Sequence, residues 1–113
     1  MIKKVESSAQ AFFNRLQQKI EIAEKQNKPI KDLVEQQIKL LSEVHDEFIA
    51  DAKLKGYDMT NQRLGEIEVR QYQAMKQLAQ KIGLPVEEYD EYIKKVRIRI
   101  FGEENYKRFF EEQ

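Results

Sequence analysis

The run PIKDLVEQQIKLLSEVHDEFIADAKLKG, residues 29–56, decides the fold class. Its apolar residues Ile30, Leu33, Val34, Ile38, Leu41, Val44, Phe48, Ile49 and Ala52 step by three and four, the period of one helix face. Pro29 suits the first helical position, where its missing N–H costs nothing. Lys53 and Lys55 place cations where helix dipoles favour them, and Gly56 stops the run. Upstream, Val5, Ala9, Phe12, Phe13, Leu16, Ile20 and Ala23 form a second stripe, ended by Asn27-Lys28-Pro29 because proline disfavours helical geometry in the residue before it. Ser7 and Gln10 have capping-box spacing, so this helix is expected to begin near Ser7. Two long helices joined by so short a turn must lie antiparallel.

Downstream, Leu64, Ile67, Gln71, Met75, Leu78, Ala79 and Ile82 predict a third helix, with Thr60 as N-cap, a Met59–Leu64 staple and Gly83 as the stop. Gly65, inside that helix, marks a close helix crossing or a late start. Pro85 opens a fourth helix reaching about Phe101, with Glu87, Glu88, Asp90 and Glu91 early and Lys94, Lys95, Arg97 and Arg99 late, the order the macrodipole favours. Val96-Arg97-Ile98-Arg99-Ile100 alternates like a strand but has no second strand to pair with, so helix is preferred. After Gly102, Tyr106, Phe109 and Phe110 form a last aromatic face. The expectation is an all-α antiparallel bundle of four to five helices, three long and the C-terminal ones shorter, as one domain over residues 1–113.

Composition agrees. Leu, Ile, Val and Phe make up 31 of 113 residues, enough for a core, and only 4 Gly and 2 Pro interrupt the helix formers. The 20 basic and 20 acidic side chains cancel, which argues against a general polyanion binder. Without cysteine, thiolate metal sites and cysteine nucleophiles are excluded. The start carries no apolar run of a signal peptide and no stretch approaches a membrane span, so a cytoplasmic location with no membrane partner is expected.

Chemistry is sparse. The single histidine, His45, has acids at i−2, i+1 and i+2 rather than the Glu-x-x-His spacing of di-iron bundles. It lies four after Leu41 and three before Phe48, so it reads as a core or boundary histidine, with a proton switch as the alternative. No nucleophile elbow, phosphate-binding glycine loop or His-Glu-x-x-His motif is present. Arg15, Gln18, Arg63, Arg70 and Gln71 could serve an all-helical enzyme, but no spacing singles them out. A protein without catalytic, cofactor or metal residues is expected.

Residues 78–92, LAQKIGLPVEEYDEY, resemble a helix-turn-helix unit, with Ala79, Gly83, Leu84, Tyr89 and Tyr92 on its steric positions. The resemblance implies a helical corner. Its reading face would be Pro85, Val86, Glu87, Asp90 and Glu91, and carboxylates there repel phosphate. A nucleic-acid regulator would have to use Lys94, Lys95, Arg97 and Arg99 instead. The favoured reading is a protein-interaction or assembly module that pairs with a protein partner or a second copy of itself. Its anchors would be Phe101, Tyr106, Phe109 and Phe110; nucleic acid is the weaker partner expectation.

Overall fold

A computed structural model describes residues 8–111. Four helices carry the architecture: α1 (Ser8–Lys25), α2 (Lys31–Leu54), α3 (Gln62–Lys81) and α4 (Glu87–Phe101). A one-turn helix, α5 (Glu103–Tyr106), runs into a π-helical turn, Lys107–Glu111. The all-α expectation is met, and residues 96–100 are helical. Ser7 lies outside the described residues.

Each long helix ends where its breaker stands. Asn27, Gly56 and Gly83 take left-handed φ values of 55°, 74° and 73°. That conformation turns the next N–H back onto the helix: Lys28 donates to Ala23 at 2.8 Å, Tyr57 to Ala52 at 3.0 Å and Leu84 to Ala79 at 2.9 Å. These are the six-to-one bonds of Schellman caps. The helix starts differ from expectation. Pro29 and Pro85 each lie just before the N-cap, which is Ile30 or Val86. Asn61 rather than Thr60 caps α3: its Oδ1 accepts from the Arg63 and Leu64 N–H groups at 2.9 and 3.3 Å. Thr60 is instead held by Asp58, whose Oδ1 accepts from its N–H and hydroxyl. Asn61→Ala should therefore cost about 1 kcal/mol in urea denaturation, while Thr60→Val should cost less.

Consecutive helices pack in antiparallel pairs. Ala9 and Phe13 on α1 lie with Leu40, Leu41 and Val44 on α2, and Gln37 of α2 donates to Gln17 of α1 at 3.1 Å. Along α3 and α4, Lys76 pairs with Asp90, Tyr72 stacks on Tyr92, Glu68 binds Arg99, and Gly65 backs onto Ile100. Those contacts run the full length of both helices. Residues 78–92 are thus the turn of an αα-hairpin, not the steep corner that a helix-turn-helix resemblance implies.

Among the described residues α1 packs on α2 and α4 on α3, and the two outer helices do not pack on each other. An end contact, Lys81 to Glu24 at 3.2 Å, ties α1 to α3. Among the described residues, the C-terminal helices do not pack on α1. The molecule is a flat array of 49 × 41 × 24 Å with a radius of gyration of 16.7 Å. A compact chain of this length would have about 13 Å. Its buried apolar residues follow suit, with Leu16 and Ile20 on α1, Val34 on α2, Met75 and Ala79 on α3, and Ile93 and Val96 on α4.

Candidate functional site

The unusual feature of this core is polar. Glu68 is fully buried near the middle of α3, on the face it shares with Gly65, Val69, Tyr72 and Met75. An isolated carboxylate there would be very costly, so its partners matter. The Tyr92 hydroxyl of α4 donates to Glu68 Oε1 at 2.8 Å. Arg99, seven residues and two turns further along α4, brings Nη2 onto Oε2. His45 of α2 places Nε2 3.2 Å from Oε1 and 3.2 Å from the Tyr92 oxygen. Because the tyrosine proton is committed to Glu68, the consistent tautomer has its proton on Nε2, donating to the carboxylate. Nδ1 is then buried without a hydrogen bond, 3.6 Å from Asp46 Oδ1. Three helices thus converge on one carboxylate.

Aromatic rings wrap this cluster. The His45 ring meets Tyr72 and Tyr92 edge-on, at 4.9 and 5.4 Å between centroids, and those two tyrosines stack at 4.0 Å. Burial, followed by the hydrogen bond to Glu68, pushes the Tyr92 hydroxyl well above the ordinary tyrosine range, so it remains a donor. Oε1 accepts from Tyr92 and His45 and Oε2 from Arg99, so both Glu68 oxygens are engaged within the fold. Among the described residues, no three His, Cys, Asp or Glu side chains gather as metal ligands would. Beside the cluster lies a cleft of about 320 Å³ between α2, α3 and α4, floored by Ile38 and Met75 and lined by Ser42, Tyr72, Glu88, Tyr89 and Tyr92.

The expected anchors do come together. Phe101 lies 6.1 Å from Phe109 and 6.0 Å from Phe110, and Tyr106 lies 5.3 Å from Phe110, measured between ring centroids. Phe109 is 50% and Phe110 39% exposed. This aromatic end adjoins a groove of about 220 Å³ formed with Glu66, Val69, Arg70, Gln73, Arg97 and Ile100.

The four cations on α4 do not form a common face. Arg99 turns inward to Glu68, Arg97 lies 4.5 Å from the Phe110 ring centroid, and Lys94 pairs with Glu111 at 3.3 Å; Lys95 is exposed. Arg15 and Gln18 are on α1, which does not pack along the α3 helix that carries Arg63, Arg70 and Gln71.

Sequence reasoning found His45 and its burial and gave Tyr92 a packing position, but missed Glu68 and Tyr72. A signal was available: Gly65, Glu68, Val69, Tyr72, Met75 and Ala79 also step at helical spacing, and this stripe, which shares Met75 and Ala79 with the expected one but turns the 38%-exposed Ile67 aside, faces the core.

Fold and site together define an all-α protein whose central helices are joined by a buried ion-pair and tyrosine network. The chain belongs to a family described as a domain of unknown function, DUF892, which matches residues 3–95. That match contains His45, Glu68, Tyr72 and Tyr92, while Arg99 and the aromatic end lie beyond it. No curated protein and no solved structure matches the chain. Among the described residues, no helix is long and apolar enough to cross a membrane.

Proposed function

We propose that the chain is a non-enzymatic, cytoplasmic interaction module that self-associates through its aromatic C-terminal end. The observation that carries this reading is the half-exposed pair Phe109 and Phe110, set on Phe101 and Tyr106 beside the groove of Val69 and Ile100. Aromatic side chains that fill apolar pockets dominate interface energetics, and a two-fold pairing covers the same patch on both copies. The open array supports the same idea, since it leaves Phe12 at 44% and Ile22 at 56% exposure on α1, apolar surface that association would cover.

Sedimentation velocity of the whole chain across a concentration series tests it. A concentration-dependent dimer is expected, and Phe109→Ser with Phe110→Ser should weaken it by at least about tenfold, the effect of losing one interface hot spot. Removing residues 103–113 should abolish it. A chain that stays monomeric, or a folded truncation that still dimerises, would overturn the proposal. A nucleic-acid role has less support, because Lys94, Arg97 and Arg99 each have a partner within the chain.

A further inference from the structure

We propose that the tyrosine-lined cleft between α2, α3 and α4 is a binding site for a small alkylammonium cation. The cleft has about 320 Å³ of space, its floor is Ile38 and the buried Met75, and three of its walls are tyrosine rings. Tyr72 and Tyr89 are inclined at 58° with centroids 6.2 Å apart, so their faces look in different directions; Tyr92 stacks on Tyr72, which leaves the outer faces of that pair and the Tyr89 ring for a cation. Ring faces carry the negative part of the aromatic quadrupole and attract cations, most strongly where water is displaced.

The charge around the cleft has the matching sign. Glu88 is in its lining and no lining residue is cationic. Lys76, one turn along α3 from Tyr72, is tied to Asp90 at 2.7 Å. Burial first, then the carboxylates of Asp46 and Glu68 and the neighbouring Tyr89, hold the Tyr72 hydroxyl above the usual tyrosine range. That ring therefore stays neutral.

The same lining selects among cations. A metal ion such as calcium needs six or more oxygen ligands, and the cleft offers one carboxylate and a few hydroxyls. A methylated ammonium needs no hydrogen bonds, and its methyl groups can rest on Ile38 and Met75 while the charge meets the rings and Glu88. Such a group comes either as a free small amine or as a trimethyllysine side chain.

Titration of the full chain with tetramethylammonium and with choline, followed by NMR of tyrosine rings, tests the site. Saturable shifts confined to Tyr72, Tyr89 and Tyr92 are expected. Choline should bind at least about tenfold more tightly than its neutral isostere 3,3-dimethylbutanol, because only the charge differs. Glu88→Gln, at an exposed position that needs no repacking, should weaken choline several-fold. Tyr89→Leu should abolish binding, and Tyr89→Phe should retain it. A trimethyllysine peptide that binds more tightly than choline would assign the ligand to a protein tail, and the reverse order to a free amine. Absence of saturable shifts at tens of millimolar, equal binding of the neutral isostere, or wild-type affinity in Glu88→Gln would overturn the assignment.

Discussion

Arg99→Met should lower the folding stability by about 3 kcal/mol, one of the two largest single-residue effects expected for this chain. Glu68 is fully buried, and Arg99 supplies its only full positive charge; Tyr92 and His45 contribute hydrogen bonds. Removing one partner of a buried pair leaves a charge that neither water nor protein satisfies, which costs about 3–5 kcal/mol. The lower end applies because the Arg99 side chain is 30% exposed, so water can reach part of the vacated space. For a domain of this size the melting temperature should fall by roughly 10 °C.

The second variant in the cycle is Glu68→Leu in the Arg99→Met background. It removes the stranded charge and should recover part of the loss, since a buried pair replaced by apolar groups of similar volume is often near neutral while the Tyr92 hydroxyl and His45 lose their acceptor. Urea denaturation of both variants and the wild type checks the pair. If Arg99→Met lies within about 0.5 kcal/mol of wild type, as ordinary surface substitutions do, the ion pair does not hold α3 to α4.

The other large effect is expected at Gly65. Glycine in a helix interior costs about 1 kcal/mol relative to alanine, so on propensity alone Gly65→Ala should stabilise α3. Packing opposes this. A Cβ at Gly65 would stand 2.4 Å from Ile100 Cγ2 and 2.9 Å from its Cδ1. Isoleucine in a helix has one strongly preferred χ1, so that methyl cannot simply swing away. Overpacking of this kind costs about 1–3 kcal/mol, enough to cancel or exceed the propensity gain.

Gly65→Val adds two further methyl groups at the same crossing and should be destabilising by about 3 kcal/mol. The control is Ile100→Ala. In that background Gly65→Ala should become stabilising, because the clashing methyls are gone and the propensity term remains. A stabilising Gly65→Ala in the wild-type chain would mean that α3 and α4 are not in close contact there. The close crossing is one of two readings that Gly65 allows in the sequence, and the structure selects it.

Much of the fold is legible in the sequence because its signals are local. Asn27, Gly56 and Gly83 end their helices by a backbone conformation set within a few residues, and each stop falls where composition places it. The end of α4 at Phe101, next to Gly102 with φ 85°, follows for the same reason. Short turns between long helices then require antiparallel neighbours. The N-cap of α3 shows how far this reading extends: Thr60 and Asn61 are both good caps, and the choice of Asn61 depends on Asp58 holding Thr60.

The site is different in kind. His45, Glu68, Tyr92 and Arg99 are separated by 23, 24 and 7 residues, and a helical period says which residues share a face but not which way that face turns. A rotation of α3 by one residue exchanges Ile67 for Glu68 at the core, and sequence pattern favours the isoleucine. The tertiary structure reverses that order because the tyrosine, arginine and histidine donors of α4 and α2 meet the carboxylate. The sequence by itself determined the all-α class, the C-terminal ends of the long helices and their antiparallel order, all of which depend on local backbone energetics. Only the tertiary structure decided their rotation, the burial of Glu68 and the open flank of α1, because each depends on free energies shared by residues on different helices.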